Sequence, residues 1–170
     1  KPLNGKPLIQ YSIEVAKETT KISNIFVSTD CESIAAVAIK NGVKVIKRPN
    51  ELAKDDSTEW MAWRHAVKYV KDNFGLFDIF VSLPATSPLR SVSDVVTSIE
   101  ALEKSDADIC ISVTPANRNP YYNMVKLHKN NIAELVIKPS NEVNRRQDAP
   151  ELYDITTVVY SAKLPLIENQ

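Results

Sequence analysis

The chain has 170 residues, 44% apolar and 25% charged, with 21 basic and 21 acidic side chains and a formal net charge of zero. That length fits one domain with one core, and neutrality excludes a global field that would gather nucleic acid or an anionic membrane, so any anion site has to be local. No apolar run approaches the ~20 residues of a membrane span, and no secretory signal pattern is present. The two cysteines, Cys31 and Cys110, lie far apart in sequence and read as free thiols of a cytoplasmic protein. Only three glycines occur, at 5, 42 and 75, so there is neither a G-x-G-x-x-G fingerprint nor a Walker loop.

The opening KPLNGKPLIQ has no methionine and runs directly into a predicted helix over 7–19. Leu8, Ile9, Ile13 and Ala16 fall on one face of it, and Pro7 suits its first turn. NIFVSTD (24–30) reads as a short buried strand. CESIAAVAIKNG is a helix with Ile34, Val37 and Ala38 inward and Asn41-Gly42 as its stop. VKVIKRP (43–49) is a strand closed by Pro49. After the polar NELAKDDST, a helix over 57–73 carries the stripe Trp60, Trp63, Val67, Val70 and Phe74. FDIFVSLP is the next strand; Ser91-x-x-Asp94 reads as a capping box that opens a helix through Glu103; DADICISVTP is a further strand. Beyond residue 115 the rhythm changes to a hairpin around Lys129-Asn130-Asn131, a polar connection RRQDAPELYD and a last strand ITTVVYSAK. The end, LPLIENQ, is as abrupt as the start, and the chain reads as trimmed on both sides.

Strands alternating with helices over 7–115 predict an α/β domain with a mainly parallel sheet flanked by helices. The expected organisation is a single domain over 1–170 with a hairpin insertion at 116–145. Ligands of such sheets bind beyond the carboxyl ends of the strands. Ser28-Thr29-Asp30, Lys47-Arg48 and the turn LPATSPLR (83–90) all sit at such ends. The turn holds two prolines, Thr86, Ser87 and Arg90; a stiff backbone presents hydroxyls and a guanidinium to an anion at low entropic cost. The same turn can also be ordinary scaffold, its hydroxyls satisfying local backbone. Asp30 is either a ligand contact or the cap of the following helix. Arg48 reads as a rim guanidinium, whereas Asp55, Asp56, Ser57 and Thr58 suit a solvated helix start. Arg146 and Gln147, in NRRQDAP, are either solvated or able to hold a carboxylate or sugar between guanidinium and amide. Trp60 and Trp63 read as core, and Tyr121-Tyr122 as the start of the hairpin, whose stripe could serve a dimer edge.

KPLNGKPLI, FVSTD, KVIKRPNELAKDD, SLPATSPLR and RRQDAPELY, in this order, resemble the acylneuraminate cytidylyltransferase family, the synthetases of CMP-activated sialic and related nonulosonic acids. The resemblance runs from Lys1 to about Tyr160, and the TSPLR turn is its sharpest element. It implies a Rossmann-like nucleotidyltransferase with a small dimerisation element, a homodimer using Mg²⁺ that joins CTP to a sugar acid and releases pyrophosphate. It implies a nucleotide or sugar-acid contact from Arg48, a sugar pocket lined by Thr86 to Arg90, and sugar-acid contacts from Arg146 and Gln147; Ser28 and Asp30 are expected to contact the nucleotide beside Arg48, and Thr86, Ser87, Arg90 and Tyr153 the sugar acid, with Arg48 and Arg90 as catalytic groups. It also implies a phosphate-cradling loop upstream of Lys1 and metal-binding aspartates past Gln170, so the fragment alone is expected not to turn over.

Two departures touch the sugar pocket. Pro84 stands where the family has a glutamine, with Ala85 in place of a proline, and DITTVVY brings Thr156 and Thr157 to a strand where Asn-Gly-Ala-Ile-Tyr is usual. These changes leave the sugar open: a bacterial di-N-acetylated nonulosonate is expected, with 3-deoxy-manno-octulosonate, a sugar 1-phosphate, or a non-catalytic sugar- or nucleotide-binding relative as alternatives.

Overall fold

The structure, a computed structural model, describes residues 1–54, 56–138 and 143–169. They fall into two compact units, Lys1–Ser112 with Thr157–Gln170, and Val113–Thr156. The second unit holds the described part of the segment expected as an insertion; residues 139–142 of that segment, and Asp55, lie outside the described residues.

In the first unit, β1 (Pro2–Leu3) and β2 (Lys6–Pro7) form a two-residue antiparallel ribbon. Asn4 and Gly5 both take positive φ, 49° and 77°, the mirror-image turn that such a tight hairpin needs. Helix α1 (Leu8–Glu18) follows directly and buries Ser12, Ile13 and Ala16. Strand β3 (Phe26–Thr29) leads through Cys31 into α2 (Glu32–Lys40), which ends where Gly42 adopts φ 68°, and the chain returns as β4 (Lys44–Lys47). Strands β3 and β4 pair in parallel, Val27 opposite Val45 and Thr29 opposite Lys47. Such a parallel pair requires the intervening helix to cross over on one face. Their apolar side chains close a core of Ile13, Val27, Ala38 and Val43.

The long helix α3 (Glu59–Phe74) carries the aromatic stripe expected of it. Trp63 and Val67 are buried against Ala162, Leu164 and Ile167, with Phe80 and Tyr160 packed around them. The Trp63 ring lies 5.1 Å from Trp60, 5.3 Å from Phe80 and 5.5 Å from Tyr160, all tilted or edge-on, arrangements worth about 0.5–1.5 kcal/mol per pair beyond area burial. Phe74, at the end of the stripe, is 46% exposed; it meets Phe26 at 5.1 Å and lies beneath the Lys44 ammonium, 4.0 Å from its ring.

Strand β5 (Ile79–Ser82) runs into the proline turn, and α4 (Val92–Glu103) opens with the expected capping box: Ser91 Oγ accepts from the Asp94 amide at 3.2 Å, and the Asp94 carboxylate accepts from the Ser91 amide at 2.8 Å. Strand β6 (Ile109–Pro115) then leads into the second unit. There β7 (Val125–Leu127) and β8 (Ala133–Leu135) form an antiparallel hairpin, Val125 opposite Leu135, with Asn131 at φ 61° in its turn. Strand β9 (Tyr153–Lys163) re-enters the first unit, pairs antiparallel with β5 and lies between β5 and β6. A final short helix, α5 (Leu164–Asn169), buries Leu164 and Ile167; the sequence pattern did not anticipate it.

Among the described residues the sheet expected to be mainly parallel is found as two pieces, a parallel pair β3–β4 and a triplet β5–β9–β6 in which β9 runs antiparallel to β5, so the parallel expectation holds for β3–β4 and is corrected for β5 and β9. A cleft of about 880 Å³ is lined by residues of both pieces, among them Val27, Ser28 and Arg48 and Ile79 to Pro84, together with Ile13 and Trp63.

Candidate functional site

Strand ends build the site in the first unit, as the topology rule requires. At the end of β3, Ser28 is held by Arg48, which follows β4: Arg48 Nε donates to Ser28 Oγ at 3.2 Å and Nη2 to the Ser28 carbonyl at 2.8 Å. The parallel pairing sets this contact, since the Arg48 amide continues the ladder to the Thr29 carbonyl at 2.9 Å. Both side chains line the cleft, so the structure brings these two sequence candidates together. Asp30 is exposed beyond the end of β3 and is not part of the lining. It does not cap α2 either: the N-cap residue is Cys31, whose amide donates to Thr29 Oγ1 at 3.1 Å.

The proline turn gives a different result from the one its composition suggests. Pro84 and Ala85 reach the cleft. Arg90 turns inward and is only 6% exposed. Its Nε donates to the Val158 carbonyl, its Nη1 to Ser12 Oγ at 3.0 Å, and its Nη2 to the carbonyls of Pro84 at 2.7 Å and Thr157 at 3.3 Å. Burial pushes its pKa down, partly offset by the Asp94 carboxylate. The guanidinium expected to face a ligand instead ties the turn to β9 and α1. Ser12 and Thr157, its partners, went unrecognised as site residues in the sequence; only Thr157 left a trace there, as a departure from the family pattern. Thr86 and Ser87 do not line the cleft; their hydroxyls lie at Thr157 Oγ1, 3.1 Å from Thr86 Oγ1 and 2.9 Å from Ser87 Oγ.

The second unit carries the other three candidates. Arg146 and Gln147 are exposed in a short 3-10 turn, Arg146–Asp148. Arg145 and Asp148 brace that turn with an ion pair at 2.8 Å, and Arg146 Nη2 donates to the Ala116 and Asn117 carbonyls at 3.3 and 3.4 Å. Tyr153 is half exposed and donates its hydroxyl to Glu151 at 2.7 Å, which raises its pKa. Among the described residues no group of three His, Cys, Asp or Glu side chains could hold a metal ion, so these residues do not by themselves fit a Mg²⁺ site. No described helix is long and apolar enough to cross a membrane.

Comparison with known proteins shows which family the chain is similar to. The family profile described as Cytidylyltransferase matches residues 1–168. "Post-translational flagellin modification protein B" of Campylobacter coli is 33% identical over 163 residues, 95% of this chain and 68% of that protein. "CMP-N,N'-diacetyllegionaminic acid synthase" of Campylobacter jejuni is 33% identical over 170 residues, 98% of this chain and 71% of that protein. Among solved structures, a CMP:2-keto-3-deoxy-manno-octonic acid synthetase complexed with CTP superposes with a TM-score of 0.69 at 17% identity, covering 99% of this chain and 68% of that one. The 4-diphosphocytidyl-2C-methyl-D-erythritol synthase of Anaerococcus prevotii gives a TM-score of 0.65 at 12% identity, covering 99% and 67%. At such identities these two establish the fold alone, that of the Rossmann-like nucleotidyltransferases.

Proposed function

Because the chain belongs to the cytidylyltransferase family, we propose that the full-length protein it is part of transfers CMP from CTP to the anomeric hydroxyl of a nonulosonic acid. The observation that carries the sugar class is the 33% identity to a CMP-diacetyllegionaminic acid synthase over 98% of the chain. In the reaction the anomeric oxygen forms a bond to the α-phosphorus, the bond from that phosphorus to the bridging oxygen breaks, pyrophosphate leaves, and the hydroxyl proton passes to solvent or a base. Such a transfer needs positioning and charge neutralisation rather than a covalent nucleophile.

The roles follow from geometry and donor chemistry. Arg48, held against Ser28 in the cleft, offers a fixed cation to the nucleotide; Asp30, exposed at the same strand end, is proposed to contact the nucleotide as it enters. Thr86 and Ser87 contact the sugar. Arg146, Gln147 and Tyr153 are proposed contacts of the sugar acid on their exposure and hydrogen-bonding capacity. Mg²⁺ would supply Lewis-acid stabilisation of the phosphates; its ligands are not found among the described residues, and no step above is assigned to it. We further propose a cytoplasmic homodimer that associates through the hairpin of the second unit, where Val125, Leu127 and Ile132 are 54%, 70% and 59% exposed, an apolar surface unusual for a free hairpin.

The test is pyrophosphate release from CTP by the full-length protein with a panel of N-acetylneuraminic acid, diacetyllegionaminic acid, 3-deoxy-manno-octulosonate and a hexose 1-phosphate. A kcat/KM highest for a nonulosonic acid supports the reading. Preference for the octulosonate or the sugar phosphate overturns it.

A further inference from the structure

Beside the buried Arg90 three hydroxyls form a cluster with an unusual hydrogen-bonding balance. Thr86 and Thr157 are exposed and Ser87 is half-buried; their three hydroxyls meet at Thr157 Oγ1, with contacts of 3.1 and 2.9 Å. Each hydroxyl brings one proton and two lone pairs. Three protons and six lone pairs serve two internal bonds, which leaves one donor and up to four acceptor sites facing outward. Among the described residues no hydrogen bond from a cation to these hydroxyls is found, and the guanidinium of the turn is spent on Pro84, Ser12, Thr157 and Val158. An acceptor-rich, uncharged array is a poor match for a carboxylate or a phosphate, which can only accept. It matches a group that donates: sugar hydroxyls or the N–H of an acylamino substituent.

The array is also held in place. Arg90 fixes the main chain at Pro84 on one side and at Thr157 and Val158 on the other, and the β-branched side chains of Thr86 and Thr157 have few rotamers to lose on binding. Thr157 comes from β9, some 70 residues from the turn, so the cluster is a product of the fold and not of a local motif.

We propose that Thr157 is a specificity-determining residue: with Thr86 and Ser87 it recognises the hydroxyl- or acylamino-bearing part of the sugar acid rather than its carboxylate, and Arg90 is the positioning residue that holds the three hydroxyls together. The inference rests on the nonulosonate reading above. The competing role is purely structural, a stitch between turn and strand.

The experiment is steady-state kinetics of Thr157→Val and Thr157→Ser with the best sugar acid of the panel, alongside thermal melting. Valine keeps the branched shape and removes the hydroxyl. The expected result is a KM for the sugar acid raised about 3- to 10-fold, the range of one neutral hydrogen bond, with the KM for CTP and the melting temperature unchanged and with serine restoring the wild-type value. A substrate analogue lacking one hydroxyl or acylamino group should lose activity against wild type but not further against Thr157→Val, whereas an analogue with its carboxylate reduced to an alcohol should lose equally against both. An unchanged sugar KM in Thr157→Val, or a drop in melting temperature with both KM values shifted together, overturns the specificity role. Wild-type protein that accepts no nonulosonic acid overturns the nonulosonate reading and this inference with it; wild-type turnover with an indifferent Thr157→Val overturns this inference alone.

Discussion

Replacing Arg90 by alanine removes four hydrogen bonds at one stroke. The acceptors left behind are the carbonyls of Pro84, Thr157 and Val158 and the Ser12 hydroxyl, all at a site where the guanidinium is 6% exposed. A hydrogen bond from a charged donor contributes roughly 1.5–3 kcal/mol, so the gross loss is about 6–12 kcal/mol. Against this, taking an ion out of water costs several kcal/mol, and that cost disappears with the side chain. Water entering the vacated space restores some of the acceptors. The net expectation is a destabilisation of about 3 kcal/mol, which for a chain of this size corresponds to a fall of about 6–12 °C in melting temperature. Circular dichroism melting and urea unfolding both read it. Arg90→Lys, which lacks the planar fork, should recover only part of the loss. A melting temperature within about 2 °C of wild type, together with a raised KM, would refute the reasoning: the guanidinium would then face a ligand and not the protein.

Ser91→Ala removes the N-cap of α4, whose hydroxyl accepts from the Asp94 amide at 3.2 Å; the loss is about 1 kcal/mol, or roughly 2–4 °C in melting. In the second unit the Glu134 carboxylate, drawn on first by Lys138, then by His128 and Lys126, has its pKa lowered to about 2. A depressed folded pKa means that its contribution is full above the ordinary glutamate value and is lost as pH falls through about 2, so Glu134→Gln should weaken the hairpin at neutral pH and flatten its acid titration, as read by amide exchange across β7 and β8. The Cys31 thiol is held below its ordinary pKa, chiefly by the Ser33 hydroxyl at 3.1 Å and then by the amides of Ile34 and Ser33. Its iodoacetamide alkylation should therefore reach half-maximal rate below the pH expected of a free thiol, and Ser33→Ala should move that midpoint upward.

Local signals carried most of the element boundaries. The capping box at Ser91, the Asn-Gly stop of α2, the aromatic stripe of α3 and the Asn131 turn each lie within a few residues of the chemistry that causes them, and each stands where the pattern put it. The failures are non-local. An arginine after a proline turn reads as a surface cation because charged side chains are rarely buried; what buries Arg90 is acceptors from α1 and β9, up to 78 residues away. The division of the sheet depends likewise on which strands pair, which no single strand encodes. Helix α5 is six residues long, too short for a helical period to show, although Pro165 in its first turn was a usable sign. Of the candidate site, the pair Ser28 and Arg48 was legible because strand ends mark the ligand side of an α/β sheet. The hydroxyl cluster was legible only in half, through Thr86 and Ser87.

The central claim is transfer of the cytidylyl group, and its most direct measurement follows the α-phosphorus. The full-length protein is incubated with CTP labelled with ³²P at the α-position, Mg²⁺ and diacetyllegionaminic acid, and the products are separated. The account predicts label in a CMP-sugar together with one equivalent of unlabelled pyrophosphate. Label that remains in CTP, that appears in a CDP-sugar formed from a sugar 1-phosphate, or that appears in a CMP-sugar only when the acceptor is the octulosonate, would contradict it.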